Sequence, residues 1–377
     1  MLSPPISRTP LLSANPSLDY LLAQVAEAVQ LTTTQYTKAT EHYEAVARWL
    51  EADDSLLAKL SPRIYPQGSM ALETTVKPRG EVEYDLDLVC QMSHSPGSAM
   101  DLYSAVYERL AAHQTYRTML SKKKRCVRLE YQGEFHLDII PAIQDPFRGT
   151  TSLLVPDREL RGWTPSNPKG FASWFKSKAA LRLVEKTARY DAEPLPALRD
   201  YDEKPPLAIS VQLMKRARDI IFDGDDNAPR SILLSTLAGH HYQGRTCTLT
   251  STFEILYGIQ EQIRSASPNT IEVSNPTNPD ERFSDSLTRE RYTTLKEFTR
   301  HLTSELTKLL DARGLDTYQS SLESIFGVKP VATAFEKYGQ LLNSRRNTRT
   351  LTYSPTGLNI ITPTTSPRVP KNTYFGN

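Results

Sequence analysis

The stretch YPQGSMALETTVKPRGEVEYDLDLVCQM, Tyr65 to Met92, decides how the rest of the chain is read. It opens on a Gly-Ser pair, Gly68 and Ser69, and closes on an apolar run that carries Asp85 and Asp87. Side chains in a strand alternate faces, so these two acids project from the same side, roughly 7 Å apart along the strand. Leu86 and Leu88 then point to the opposite side, toward a core. A third acid, Asp138, stands in a second strand-like run, EFHLDIIPAI. If the two runs pair, three carboxylates converge, and such a cluster is unfavourable unless protons or cations compensate it.

Magnesium prefers oxygen ligands and commonly bridges carboxylates to substrate phosphates. The expectation is a site in which Asp85, Asp87 and Asp138 hold two Mg2+ ions, with Mn2+ able to substitute, against the triphosphate of a nucleotide. Two such ions can acidify an attacking hydroxyl and neutralise leaving pyrophosphate. Gly68 would let the backbone approach a phosphate, and Ser69 would donate its hydroxyl. There is no Walker A motif. A Gly-Ser pair alone carries no information; followed by Asp-x-Asp on a strand and a later strand Asp, it is a specific combination.

At 377 residues the chain has room for two or three domains. Its 39% hydrophobic and 23% charged residues are ordinary for a globular protein, and a formal charge of +2 gives no global argument for nucleic acid or anionic membrane as a partner. No apolar run is long enough to span a membrane, and the first residues lack the basic start and apolar core of a secretion signal, so a cytoplasmic setting is expected. Cys90, Cys126 and Cys247 lie far apart, with no Cys-x-x-Cys, which argues against a structural zinc and a disulfide framework.

Helical spacing is read over Leu18–Leu31 and Thr34–Ala52, two helices expected to pack across the catalytic sheet. Strands are expected at Arg63–Tyr65, Val82–Met92, Lys124–Tyr131, Glu134–Ile140 and Leu153–Pro156, with a helix over Ala99–Gln114 and a hairpin turn at Gln132-Gly133. Strands interleaved with helices on one small sheet point to an α/β or α+β domain. Trp163–Phe175 reads as a crossover into a second, mostly helical part. Its helices are expected at Leu207–Phe222, Ser231–Tyr242 with Ser231 as N-cap, Thr252–Ile263, Leu287–Leu310 and Val331–Leu342. Val273–Phe283 reads as a rigid proline-punctuated loop, and the chain beyond Asn343 as a polar tail.

QGSMALETTVKP and EYDLDLVCQM, with HLDIIPAI downstream, resemble the polymerase-β-like nucleotidyltransferases and within them the bacterial cGAS-like enzymes, the CD-NTases. WTPSNPKGFASWF, the KR-containing helix, SILLSTLAG and NPTNPDERF extend the resemblance over most of residues 60–300. It implies an α+β fold: a nucleotidyltransferase core with N-terminal helices (1–165), a helical OAS-like domain (166–345), a flexible tail (346–377), and a cleft between two lobes. It also implies condensation of nucleoside triphosphates, ATP among them, into a cyclic di- or trinucleotide signal for anti-phage (CBASS) defence. By the same matching Asp85, Asp87 and Asp138 are the catalytic and metal-holding residues, Gln67, Gly68 and Ser69 contact the triphosphate, Lys215 reaches a donor phosphate, and Ser231 lies beside the same nucleotide. The zinc-containing DNA-binding insertion of the animal sensor has no counterpart here, so duplex DNA is not an expected partner. In relatives whose operons encode ubiquitin-transfer-like proteins a flexible C-terminus is joined to a partner, and the ending KNTYFGN is a candidate for the same attachment.

Plainer readings stand beside these. Lys215 and Arg216 also read as the charged face of an amphipathic helix, Ser231 as a cap alone, Lys122–Arg125 as a solvated turn, and His240-His241 as structural. DGDDN (Asp223–Asn227) lacks the turn glycine and bidentate Glu of a calcium loop, with Ala228 and Leu234 at those places. The same three acids could also serve a linear nucleotidyltransferase acting on RNA ends or a small acceptor, or a non-catalytic nucleotide-binding module.

Overall fold

The computed structural model describes residues 16–80, 83–180, 204–245, 247–312, 314–348, 352–354 and 357–359. The chain divides into two compact units, each assembled from separate stretches: residues 30–199 with 272–287, and residues 1–29 with 200–271 and 288–377. The first helix, α1 (Pro16–Ala28), falls in the second of these units. It packs against other helices there and not across the sheet as its sequence suggested.

The first unit is built on seven strands: β1 (Arg63–Gln67), β2 (Tyr84–Met92), β3 (Leu120–Lys122), β4 (Val127–Tyr131), β5 (Phe135–Gln144), β6 (Leu153–Asp157) and β7 (Gly162–Ser166). Their order is β1-β2-β5-β4-β3, with β6 pairing β5 and β7 pairing β6. Only β2 and β5 run parallel; the other pairs are antiparallel. A parallel pair needs a long crossover, and the chain between β2 and β5 supplies it with a helix and the strands β3 and β4.

Alternation along these strands makes a sheet with two different faces. Leu86, Leu88, Cys90 and Met92 of β2, Val127 and Leu129 of β4, and Phe135, Leu137 and Ile139 of β5 enter one large core. Two helices cover that core, α2 (Thr33–Glu51) and the crossover helix that follows β2 and the short α3 (Gly68–Ala71), namely α4 (Ala99–Ala111). Both begin on capping boxes, Thr32 with Gln35 and Ser98 with Asp101. They are latched to each other where the Trp49 indole donates to the Arg109 carbonyl at 2.9 Å and the Arg109 guanidinium lies 3.7 Å over the Trp49 ring.

The opposite face carries a smaller apolar cluster of Tyr65, Val89, Ile140, Ala142, Leu153 and Val155. The hairpin joining β4 to β5 turns at Gly133, whose φ of +75° suits glycine. After β7, Asn167 caps α5 (Pro168–Ala179), accepting from the Gly170 N–H at 3.0 Å. The segment read as a loop is a hairpin of β8 (Ser274–Asn275) and β9 (Asn278–Arg282). Its Glu281 accepts from the Ser166 hydroxyl (2.9 Å), the Asn167 N–H (3.1 Å) and the Asn275 amide (2.7 Å), which fastens it to the start of α5.

The second unit is helical: α1, α6 (Pro206–Phe222), α7 (Ser231–His241), α8 (Thr248–Ala266), α9 (Arg289–Asp311), α10 (Leu315–Phe326) and α11 (Val328–Asn347). Asp19 of α1 explains why that helix belongs here. Its carboxylate accepts from the Leu249 N–H at 2.8 Å and the Cys247 thiol at 3.2 Å, serving the first turn of a helix far along the chain. Burial outweighs those bonds and raises the Asp19 pKa. In the stretch read as a tail, α11 runs to Asn347 and β10 (Thr352–Ser354) pairs with β11 (Gly357–Asn359).

Leu137 of β5 has no exposed surface. Leu137→Ala is expected to lower unfolding free energy by about 2–5 kcal/mol, a buried-leucine cavity, read as an earlier denaturant midpoint at unchanged slope.

Candidate active site

The second face of the sheet holds the acids. In register, Gln67 of β1 stands opposite Asp87 of β2, Asp87 beside Asp138 of β5, and Asp138 opposite Arg128 of β4. One row of side chains thus crosses four strands. A second row sets Asp85 beside His136 and His136 opposite Glu130. The arrangement follows from the period of two: the apolar neighbours of these residues on β2, β4 and β5 pack in or against the large core, so the polar ones have only this face.

Burial differs along the row. The Asp138 side chain is 12% exposed and that of Asp85 59%, so one acid is sunk in the sheet and the other stands at its rim. Arg128 joins them. Its Nε donates to Asp138 Oδ1 at 2.6 Å and its Nη2 to Asp138 Oδ2 at 2.8 Å, while the same Nη2 donates to Asp85 Oδ1 at 2.9 Å. Hydrogen bonding to Asp138 is the main reason the guanidinium is held even more firmly protonated than usual. His136 Nδ1 lies 3.5 Å from Asp85, and its Nε2 is 2.6 Å from Glu83. Cys126 lies beside the row; burial, and after it the Asp138 carboxylate, pushes its thiol pKa up, so it stays protonated.

Gly68 is pressed against Asp87. It has φ +63°, and a Cβ there would collide with the Asp87 carboxylate. Only glycine combines that backbone with that approach. Gln67 precedes it at the N-cap position of α3, and Ser69 follows within the helix. The Thr75 hydroxyl donates to Ser69 Oγ at 3.0 Å, which fixes the serine rotamer. Gly68 thus sets the segment after β1 against Asp87.

The donor set suits a hard divalent cation, since the three acids offer only carboxylate oxygens from one face. Among the described residues, however, no group of three or more His, Cys, Asp or Glu side chains is already gathered as a metal cage. The guanidinium of Arg128 spans Asp85 and Asp138. It was not singled out from the sequence, although the alternation in CVRLEY sets Arg128 and Glu130 on one face, just as HLD sets His136 with Asp138.

Lys215 and Ser231 lie in the helical unit. Lys215 is 4% exposed on α6, so the charged-face reading fails; neighbouring Arg216 is buried too, its Nε donating to the Phe326 carbonyl at 2.9 Å. Ser231 is not the cap of α7. That place belongs to Arg230, and the Ser231 hydroxyl accepts from Arg218 at 2.8 Å. The ending KNTYFGN, the candidate for attachment, lies outside the described residues.

Known proteins resemble this chain over most of its length. Residues 17–179 match the model of the Second Messenger Oligonucleotide or Dinucleotide Synthetase domain. A c-di-GMP synthase of Roseivirga ehrenbergii is 34% identical over 344 residues, covering 89% of this chain and 90% of that protein. The cyclic dinucleotide synthase CdnG of Bradyrhizobium diazoefficiens is 28% identical over 90% of this chain and 88% of its own. The structure of CdnG from that organism in complex with GTP superposes with a TM-score of 0.70 at 25% identity, covering 87% of this chain and 99% of that one. Vibrio cholerae DncV cyclic AMP-GMP synthase, at 15% identity and a TM-score of 0.53 over 87% of this chain and 90% of its own, shares the fold. No helix among the described residues is long and apolar enough to cross a membrane. The chain belongs to the CD-NTases, the bacterial cGAS-like nucleotidyltransferases with an α+β, polymerase-β-like fold.

Proposed function

We propose that this chain condenses nucleoside triphosphates into a cyclic dinucleotide, with GTP as a substrate, as a signal in anti-phage defence. The observation that carries the reading is the cross-strand row Gln67–Asp87–Asp138 with Gly68 against its middle member. The c-di-GMP synthase relative at 34% identity, matching almost end to end, favours a two-membered guanine ring over the trinucleotide alternative. ATP, an expected substrate, becomes the second candidate nucleotide.

In each of two steps a ribose hydroxyl of the acceptor bonds to the donor α-phosphorus, the bond from that phosphorus to the bridging oxygen breaks, and pyrophosphate leaves. Asp85, Asp87 and Asp138 are the residues that would hold two Mg2+ ions; when bound, these supply charge neutralisation of the phosphates and acidification of the attacking hydroxyl. Asp138, deepest in the sheet, orients that hydroxyl. The Gln67 to Ser69 turn grips the triphosphate through backbone N–H groups and the Ser69 hydroxyl. Lys215 and Ser231 enter as donor-nucleotide contacts on family resemblance alone. Most of the rate enhancement would come from positioning and charge stabilisation.

Incubated with all four nucleoside triphosphates and Mg2+, the protein is expected to release pyrophosphate and yield a phosphatase-resistant, guanine-containing cyclic dinucleotide by mass spectrometry. A strictly linear product, or none without an added acceptor, would indicate the linear nucleotidyltransferase instead. Asp85→Ala with Asp87→Ala should remove turnover and keep the wild-type unfolding transition; persistent synthesis in that double variant refutes the assignment of the acids. Gly68→Ala should also lose most activity, because the φ and the approach to Asp87 together impose about 1–3 kcal/mol of strain on any side chain there.

A further inference from the structure

Arg128 engages two acids of the proposed metal site, holding both oxygens of Asp138 and one oxygen of Asp85. Both oxygens of Asp138 are occupied by one guanidinium, through Nε at 2.6 Å and Nη2 at 2.8 Å. The same Nη2 reaches Asp85 Oδ1 at 2.9 Å, so a single nitrogen bridges the sunken acid and the rim acid. A guanidinium is a planar fork that matches a carboxylate with two parallel bonds, and it keeps its charge at any working pH. The position is built in: Arg128 stands directly opposite Asp138 in the β4–β5 register, with its side chain only 19% exposed.

We infer that Arg128 is a positioning residue that stands in for the catalytic metal, offsetting part of the charge of Asp85 and Asp138 until a nucleotide-borne cation displaces its Nη2. This rests on the proposed two-metal reading of the three acids. Three carboxylates facing one another across paired strands repel unless a positive charge lies among them. Arg128 supplies that charge from within the fold, so the sheet face can form before any substrate arrives. The cost is competition. A cation entering between Asp85 and Asp138 must compete for an Asp138 oxygen that the guanidinium already holds, and bare Mg2+ at cellular concentration has only the carboxylates to offset the exchange. A metal ion arriving on a triphosphate brings additional ligands and neutralises additional charge, so it can make the exchange where the bare ion does not.

The displaced arm has somewhere to go. Glu130 follows Arg128 by two residues on the same face of β4, opposite His136. Its carboxyl is held below the usual range first by the Ser121 hydroxyl, then by Lys123, His136 and Arg128. Nε can keep its bond to Asp138 Oδ1 while the Nη end turns toward Glu130, which leaves Asp138 anchored and its second oxygen released. Arg128 would then switch from shielding the site to steadying its deepest ligand.

The test measures binding of Mn2+ by electron paramagnetic resonance, with and without GMPCPP, the α,β-methylene analogue of GTP. Wild type should bind Mn2+ at the acids weakly alone and far more tightly with the analogue. Arg128→Met should tighten nucleotide-free Mn2+ binding by about tenfold or more, the worth of one charge-assisted hydrogen bond no longer surrendered. Arg128→Lys, which keeps the charge without the fork, should fall between the two. A merely structural arginine would give weaker binding or no change in Arg128→Met, and either result overturns the inference. If Arg128→Met does not fold, the wild-type arginine side-chain NMR signals decide. The Arg128 signal, identified by its loss in Arg128→Lys, should show hindered rotation about the Cζ–N bonds in the metal-free protein and faster rotation once Mg2+ and GMPCPP are added. An unmoved signal counts against displacement. Asp85→Ala with Asp87→Ala separates the two levels. If that variant still binds Mn2+ with the analogue as wild type does, the metal assignment itself fails; if it does not, and Arg128→Met is unaltered, only the role of Arg128 fails.

Discussion

The parallel pairing of β2 with β5 is the constraint on which the site depends. It sets Asp87 beside Asp138 and, in the same stroke, Leu86 beside Leu137 and Leu88 beside Ile139 on the other side. Those leucines and isoleucines are wholly buried under α2 and α4. A slip of one residue would carry the apolar set into solvent and the acids into the core. The energy that fixes the register of the acids is thus hydrophobic and lies on the face away from them, while Arg128 offsets part of the repulsion on the acid face itself.

Much of this was legible before any coordinates. Two-residue alternation in YDLDLVCQM and FHLDII sorts acids from core residues without knowledge of the partner strand, which is why the β2 and β5 faces agree with expectation. Gly68 was legible as a close-approach glycine, but not what it approaches; that the neighbour is Asp87 depends on how β1 registers with β2. Long-range placement was the least readable. Nothing local in α1 announces that Asp19 serves the first turn of α8, and nothing in NPTNPDERF shows that its glutamate ties down α5.

Two misreadings share a cause. Lys215 and Arg216 have the look of a solvated charged face, and Ser231 the look of a cap, because local pattern rules assume that polar residues meet water or their own helix end. Here α6 is buried nearly all round its first three turns, and Ser231 is taken up by Arg218 from another helix. The arginines do the same kind of work in both units: Arg216 satisfies the end of α10, Arg109 the end of α2, and Arg128 the acids. In these three the planar fork with several donors serves as an internal connector.

The hairpin of β8 and β9 has a consequence for biosynthesis. Residues 272–287 belong to the sheet unit, although the chain leaves that unit near residue 200 and spends some seventy residues in the helical one before returning. A ribosome delivering this protein releases the seven strands well before the strip that Glu281 uses to clamp Ser166 and Asn167. The nascent sheet unit must therefore wait, with the start of α5 untied, until translation has passed the hairpin. A fragment cut where the recognised synthetase domain ends, at residue 179, would lack that strip for good.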